Sequence, residues 1–269
     1  MLELNHGFRV VDVNARLHAG PTPPARGRDV DAEELERELH QAGVVRAVVH
    51  AGPEEAGYLR ANNAVARASV DRPFVAFARI DGPRAPGETA RSRLRNLTAV
   101  RDDAHTSPDD VEQYAYDDRF DGFYLDPATD GLPDEETLDV LAATDLPLLV
   151  HAGDALTPAQ VEASLLGRGL TVILEGFGGH PLDRDRMTDA LDLLDARDDL
   201  YLDTAAVRYR DLLERALREH PDRVLFGSGV PDVHPNVAVM ELLTLDVPED
   251  LMGRAFEKNP RRVIPGLDG

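Results

Sequence analysis

Short, almost continuous apolar runs alternate along the chain with longer stretches of helical periodicity. The runs are FRVVDVNA (8–15), RAVVHAG (46–52), PFVAFARID (73–81), FDGFYLDP (120–127), PLLVHAG (147–153), LTVILEGFGG (170–179), LYLDTAA (200–206) and RVLFGSGVP (223–231). Runs this uniformly apolar suit parallel strands covered on both faces, because a strand with one wet face would alternate polar and apolar positions. The segments between them read as helices. In DAEELERELHQAG (31–43), Asp31 is a cap, Leu35 and Leu39 share a face, and Gly43 ends the helix. TPAQVEASLLGRG (157–169) repeats that pattern, with Thr157 ahead of a first-turn proline, Pro158.

Eight strand–helix alternations in 269 residues predict an α/β fold, a single (β/α)8 TIM barrel filling residues 1–269. A doubly wound open sheet is the competing arrangement. HAGPTPPARGRDVD (18–31) reads as a Pro-rich loop on the C-terminal face of the strands, where barrel enzymes build their sites. GPRAPGETA (82–90) and RDDAHTSPDDVEQY (101–114) read as long surface connections, and the stretch from 247 onward as a closing helix. There is no internal repeat.

Composition narrows the chemistry. With no cysteine, disulfides, thiolate metal sites and a thiol nucleophile are all excluded. No apolar run approaches the roughly 20 residues that span a bilayer, and the opening MLELNHGFRVVDV lacks the basic start of a signal peptide, so a cytoplasmic location is expected. The net charge is −21, with 50 acidic residues against 29 basic ones, which argues against nucleic acid as a partner. Such acidity predicts adaptation to high salt; a functional acidic surface is the alternative. Homo-oligomerisation is left open.

Polar residues collect at the ends of the apolar runs. Asp12, Asn14, Arg16 and His18 sit at every second position of the first, which predicts that they point one way. Tyr124 and Asp126 end the fourth, His151 the fifth, and Glu175, Asp203 and Asp232 belong to the last three or their loops. A barrel would bring them to one mouth. His151 reads as a general base or ligand, or as a satisfied core histidine; His50 occupies a similar place, whereas His18, His180 and His234 read as solvated loop residues. Arg16 cannot ligate a cation; its guanidinium suits a carboxylate or phosphate, with Asn14 as a further donor. The competing role is a salt bridge to Asp12 or another carboxylate. Asp126 could orient an imidazole or simply form a turn before Pro127. Asp203 reads equally as a cap. Alternation counted from Leu174 turns Glu175 away from the lumen, and Asp232 with His234 could form a metal or acid–base pair or plain loop structure.

Taken in order, VVDVNARLH, DGFYLDP, PLLVHAG, TVILEGFGG, RVLFGSGVP and NPRRVI resemble six elements of the amidohydrolase superfamily, in its branch of amidohydrolase-related metal-dependent hydrolases and decarboxylases. The resemblance implies a TIM barrel and hydrolytic or lyase-type chemistry. It also places family metal-ligand positions at Asn14, Arg16, His151, Gly176 and Gly229, of which only His151 is a ligand type. A catalytic zinc needs three protein ligands and an open position, so no metal and no other cofactor is expected. Three readings follow. In the first, His151 with Asp126 does acid–base work on a small anionic substrate held by Asn14, Arg16 and Tyr124. In the second, a metal binds relocated ligands drawn from His151, Glu175, Asp232, His234 and His50. In the third, the barrel binds without catalysing. The first is the expectation.

Overall fold

Every one of the eight apolar runs contains a strand in the computed structural model, which describes residues 3–18, 30–53, 57–87 and 89–267. They are β1 Val10–Leu17, β2 Val44–Ala51, β3 in two pieces, Phe74–Ala76 and Ala78–Arg79, then β4 Phe123–Leu125, β5 Leu148–Val150, β6 Val172–Leu174, β7 Leu200–Asp203 and β8 Val224–Leu225. Each pairs in parallel with the next. The two pieces of β3 hand over between neighbours: Phe77 N–H donates back to Val49, while Ala78 N–H donates forward to Gly122. Closure comes at the seam between β8 and β1. Val13 N–H donates to Phe226 O at 2.9 Å, Arg16 N–H to Val230 O at 2.8 Å, and Gly229 N–H to Asn14 O at 3.0 Å. The sheet is therefore a closed (β/α)8 barrel, and the open doubly wound alternative is excluded.

Local chemistry sets the helices as the sequence indicates. Asp31 accepts from Glu34 N–H at the start of helix Ala32–Gln41, whose Leu35 and Leu39 are buried. After it Gly43 has φ +73°, and a Cβ there would lie 2.6 Å from the His6 ring. Thr157 and Gln160 form a reciprocal cap on helix Pro158–Ser164. The closing stretch is Glu249–Gly253, Arg254–Lys258 and Asn259–Val263 in succession. Residues 19–29, which hold most of the Pro-rich loop expected after β1, lie outside the described residues. Among the described residues no helix is long and apolar enough to cross a membrane.

Two apolar layers divide the strand residues. Val11, Val13, Val48, Val75, Phe77, Tyr124, Leu149, Ile173 and Leu225 fill the lumen with Ile264 and Leu267. Val10, Ala15, Leu17, Val49, Leu148, Val150 and Leu174 belong to the outer layer beneath the helices. Within β1 the parity reverses. Val11 and Val13 face the lumen, yet Ala15 and Leu17 face outward. The pairing with β2 explains it: Asp12 opposes Ala47 and Ala15 opposes Val49, so β1 carries one extra residue between them. Asp12 and Asn14 therefore do not point the same way, contrary to the period-two expectation. Asp12 instead accepts N–H bonds from Asn14 (3.0 Å) and Ser228 (2.9 Å), tying β1 to the loop after β8, while Asn14 and Arg16 turn toward the mouth.

Candidate active site

His151 follows β5 and is fixed by its own N–H, which donates to Leu125 O at 2.9 Å. Its Nδ1 lies 2.9 Å from Glu175 Oε2, with both side chains about four-fifths buried. Glu175 reaches this place because Ile173, not Leu174, faces the lumen. Alternation counted from Ile173 sends Glu175 inward, so the expectation that it turns away is corrected. The Tyr124 hydroxyl is 3.5 Å from Glu175 Oε2, and the His50 ring stacks on Tyr124 at 3.6 Å. His50 Nε2 lies 3.3 Å from Asn14 Oδ1, and Asn14 Nδ2 donates to Asp203 Oδ2 at 2.8 Å. Asp203 Oδ1 accepts the N–H groups of Gly176 and Ala205. One contiguous network thus runs from Asp203 through Asn14, His50, Tyr124 and Glu175 to His151.

Burial and charge sort these groups into distinct protonation states. Burial alone would strip His151 of its proton, but the Glu175 carboxylate outweighs it and raises His151 to about 9. Burial likewise opposes the charge of Glu175, and the His151 imidazolium overcomes that too, holding Glu175 at about 2. Burial pushes His50 down to about 3, so it is neutral and its single ring proton serves either Asn14 Oδ1 or Ala51 O. Asp203 is driven up to about 7, by burial first and the Glu175 charge second. Burial raises Asp12 to about 6 and leaves its Oδ2 without a partner. The exposed His180 ring sits 4.2 Å from the His151 ring, and burial of its inner side together with the His151 charge lowers it, which keeps it neutral.

The other expected residues are placed differently. Arg16 pairs with Asp232 at 3.1 Å, the internal salt bridge that competed with an anion clamp, though Asp232 and not Asp12 supplies the carboxylate. Asp126 does not orient His151. It caps helix Pro127–Asp130, accepting from Ala128 N–H and the Thr129 hydroxyl at 3.0 Å each; the residue before a first-turn proline is well placed for that duty. Asn14 and Tyr124 belong to the site but are 2% and 4% exposed, with their polar atoms engaged by Asp203, His50 and Glu175. His234 caps helix Pro235–Leu243 through Nδ1 and Asn236 N–H. His180, expected to be solvated, adjoins the site because its backbone bridges Gly153, two residues past His151; no local pattern in the sequence announces that.

His151, Glu175, Gly176, Gly179, His180 and Ala206 line a hollow of about 30 Å³, the size of a water molecule. A second pocket of about 790 Å³ lies over the loops after β2, β3 and β4, against Tyr58, Asp81, Arg84, Arg95 and Thr129. Arg79 stands between the two, its guanidinium 5.0 Å from the Tyr58 ring and 5.2 Å from the Tyr124 ring. Among the described residues no three His, Asp or Glu side chains form a set able to hold a metal ion. A side chain at Gly176 would place its Cβ 2.8 Å from Ala205 O.

Solved structures with the same fold include a 2,6-dihydroxybenzoate decarboxylase from Rhizobium, 15% identical over 97% of this chain and 100% of that one, TM-score 0.66. A 5-carboxyvanillate decarboxylase from Novosphingobium aromaticivorans with bound manganese is 13% identical over 97% and 99%, TM-score 0.68. A probable 2-pyrone-4,6-dicarboxylic acid hydrolase from Acinetobacter baumannii, with citric acid bound, is 14% identical over 95% and 98%, TM-score 0.62. At these identities the likeness is one of fold. No curated protein matches the sequence. The sequence model of the amidohydrolase family, however, matches residues 8–266, nearly the whole of this barrel, and the chain belongs to that family.

Proposed function

We propose that the chain is a metal-independent acid–base enzyme, hydrolytic in its simplest form, that acts on a small organic carboxylate at the barrel mouth. The observation that carries this reading is the His151–Glu175 pair at 2.9 Å with the His180 ring 4.2 Å from His151. A protonated imidazole and a neutral one side by side are an acid and a base already assigned. His180 takes a proton from a water in the hollow, and the water oxygen bonds to the substrate carbonyl carbon. As the carbon–oxygen bond to the leaving group breaks, His151 gives its proton to that oxygen. The proton on His180 then passes through solvent back to His151. Without a cation to acidify the water, an activated ester or lactone is the bond this pair suits.

The site does not fit the metal that the family pattern implies. His151 Nδ1 is held by Glu175, the Asn14 amide is spent on Asp203 and His50, and Arg16 brings a permanent positive charge to the rim. Arg16 is the anchor for the substrate carboxylate. Its present partner Asp232 is 63% exposed, so exchange for a substrate carboxylate costs little. Asn14, Tyr124 and Glu175 position the pair. The structural neighbours are named for carboxylates, as dihydroxybenzoate, 5-carboxyvanillate and a pyrone dicarboxylic acid, which supports that substrate class.

The test is turnover of a panel of carboxylate-bearing lactones and aryl esters, 2-pyrone-4,6-dicarboxylate among them, in the presence of chelator. His151→Ala and His180→Ala should each lose roughly 100-fold or more while circular dichroism stays unchanged. Activity abolished by chelator and restored by manganese sinks metal independence. A second reading, a barrel that binds without turnover, is favoured by the small hollow; it wins if the wild-type protein turns over none of the panel yet binds one of its members.

A further inference from the structure

We propose that the pocket of about 790 Å³ over the loops after β2, β3 and β4 is a second binding site, separate from the His151 hollow, that takes an elongated zwitterion with an amine at one end and a carboxylate at the other. Its floor is made where two loop backbones lock together. Gly82 N–H donates to Asp130 O at 2.9 Å, Arg84 N–H to Leu132 O at 3.1 Å, and Leu132 N–H back to Arg84 O at 2.7 Å. The approach requires glycine at two points. A Cβ at Gly82 would lie 2.2 Å from Leu132 O, and one at Gly131, where φ is +71°, would lie 2.5 Å from Gly82 O. The floor is therefore formed before any ligand arrives, as small-molecule pockets commonly are.

Pairing off the charged groups of the lining leaves one of each sign unanswered. Asp130 is held by Arg79 at 3.0 Å and by the Tyr58 hydroxyl, Asp102 Oδ1 lies 2.8 Å from His105 Nδ1, and Arg84 is 2.5 Å from Glu135. Beside the pocket, Arg101 is spent on Asp134 and Glu136. Asp81 and Arg95 remain. Asp81 Oδ1 accepts the Thr106 N–H and hydroxyl at 2.7 and 2.8 Å, whereas its Oδ2 has no hydrogen-bond partner and no arginine pairs with it among the described residues. Burial raises this carboxyl above its usual range despite Thr106 and the nearby His105, so a cation is what it lacks. Arg95 makes no ion pair or side-chain hydrogen bond among the described residues, in a chain where acidic residues outnumber basic ones by 50 to 29.

The two stand at opposite ends of the floor. Ala85 N–H donates to Asn96 Oδ1 at 2.7 Å and Asn96 Nδ2 donates to Ala85 O at 3.1 Å, which fastens the helix carrying Arg95 to the far end of the segment that Asp81 begins. Four residues of backbone span at most about 13 Å, and both side chains reach inward, so the charges suit ligand ends separated by roughly five methylenes. Pro83, Ala85, Pro86, Pro127 and Ala128 supply much of the remaining lining, and short apolar groups suit a methylene chain. A dianion would bring a carboxylate to Asp81, and a diamine an ammonium to Arg95; either meets its like.

Titration calorimetry of the full chain with 6-aminohexanoate, adipate and 1,6-diaminohexane tests this. The amino acid should bind one to a chain and roughly tenfold more tightly than the diacid or the diamine. Arg95→Ala should bind it no better than hexylamine, Arg95→Lys should keep most of the affinity, and Asp81→Asn should bind it no better than hexanoate. Arg95 is exposed, so its variants keep the test open if Asp81→Asn fails to fold. His151→Ala and Arg16→Ala should leave the affinity unchanged, which makes this site and the catalytic reading separately falsifiable. Adipate or the diamine binding as tightly as 6-aminohexanoate, binding lost in Arg16→Ala, or a wild-type preference that survives Arg95→Ala overturns the proposal. So does the absence of saturable binding by any ω-amino acid of about four to eight carbons.

Discussion

The Nδ1 of His151 lies 2.9 Å from Oε2 of Glu175, and this contact sets the charge states of both groups. Two charges that burial disfavours individually sustain each other. The imidazolium holds Glu175 ionised, Glu175 keeps the imidazolium, and burial together with the resulting positive charge keeps the adjacent His180 neutral.

Replacing Glu175 by Gln removes the charge and the charge-assisted hydrogen bond that do most to offset burial of His151, and leaves the smaller contributions of the Asp126 and Asp203 charges. The imidazole should then titrate below its ordinary 6.5 instead of at about 9, and His180, relieved of a neighbouring charge, should titrate higher than before. Histidine side-chain NMR across pH 5–10 reads both. A His151 resonance still protonated at pH 8 in the variant would show that Glu175 is not its partner.

How far this was legible in the sequence differs between fold and site. The eight strands could be read because each is a buried apolar run and apolar burial is the dominant local signal. The strand ends could not be read as well. One extra residue in β1 reverses side-chain parity between Val13 and Ala15, and nothing in VVDVNARLH marks it. Glu175 was within reach: the choice between Ile173 and Leu174 as the inward residue decides its direction, and that choice depends on how β6 sits in the closed barrel. Asp126 was misassigned because a carboxylate beside a histidine-bearing strand and a carboxylate capping a Pro-initiated turn have the same sequence. His180 is brought to His151 by a long-range bridge to Gly153, and no local pattern encodes that.

Stability should fall as pH rises from about 7 to 9. The folded state keeps a proton on His151 up to about 9, whereas the unfolded chain releases it near 6.5, so the pair's contribution is complete below about 6.5 and is lost through 9. Asp12 and Asp203, raised to about 6 and 7, add to a decline that begins above about 4. His50, lowered to about 3, works the other way between about 3 and 6.5. Above pH 7 His151 therefore dominates, with an upper bound of about 3 kcal/mol. Denaturation across this range at fixed salt should show the decline in the wild type and its absence in Glu175→Gln. A wild-type profile flat from pH 7 to 9 excludes the raised imidazole.

Among the described residues Arg79 is the largest fully buried side chain, and it should tolerate no substitution that leaves its partners behind. Its guanidinium donates to both Asp130 oxygens at 3.0 and 3.1 Å, to Ala51 O at 3.1 Å and to the Thr129 hydroxyl at 2.8 Å. Lysine cannot reproduce that fork. Arg79→Met strands a buried carboxylate and should cost about 3–5 kcal/mol, while adding Asp130→Leu should recover a large part of the loss. Urea denaturation of the single and double variants decides it; equal losses in both would mean that packing, and not the stranded charge, sets the cost.

Salt should raise the melting temperature. The 50 acidic residues outnumber the 29 basic ones, so even with many arginines engaged in surface pairs, such as Arg215 with Asp192 and Glu219 or Arg254 with Asp222, the excess carboxylates repel one another. Those exposed pairs contribute little each, and screening weakens them as well, so two effects of opposite sign compete. The net charge decides between them. Repulsion from −21 acts over the whole surface, and shortening the Debye length from about 10 Å at 0.1 M to about 3 Å at 1 M removes it almost entirely. A gain of about 2 kcal/mol would register as roughly 4–8 °C. The rise should be steep below about 1 M and flatten beyond it, where screening is complete. Scanning calorimetry in NaCl and KCl at matched ionic strength is the measurement. A melting temperature unchanged or lowered between 0.1 and about 2 M would mean that the arginine pairs outweigh the bulk repulsion, and that the acidity serves something other than salt.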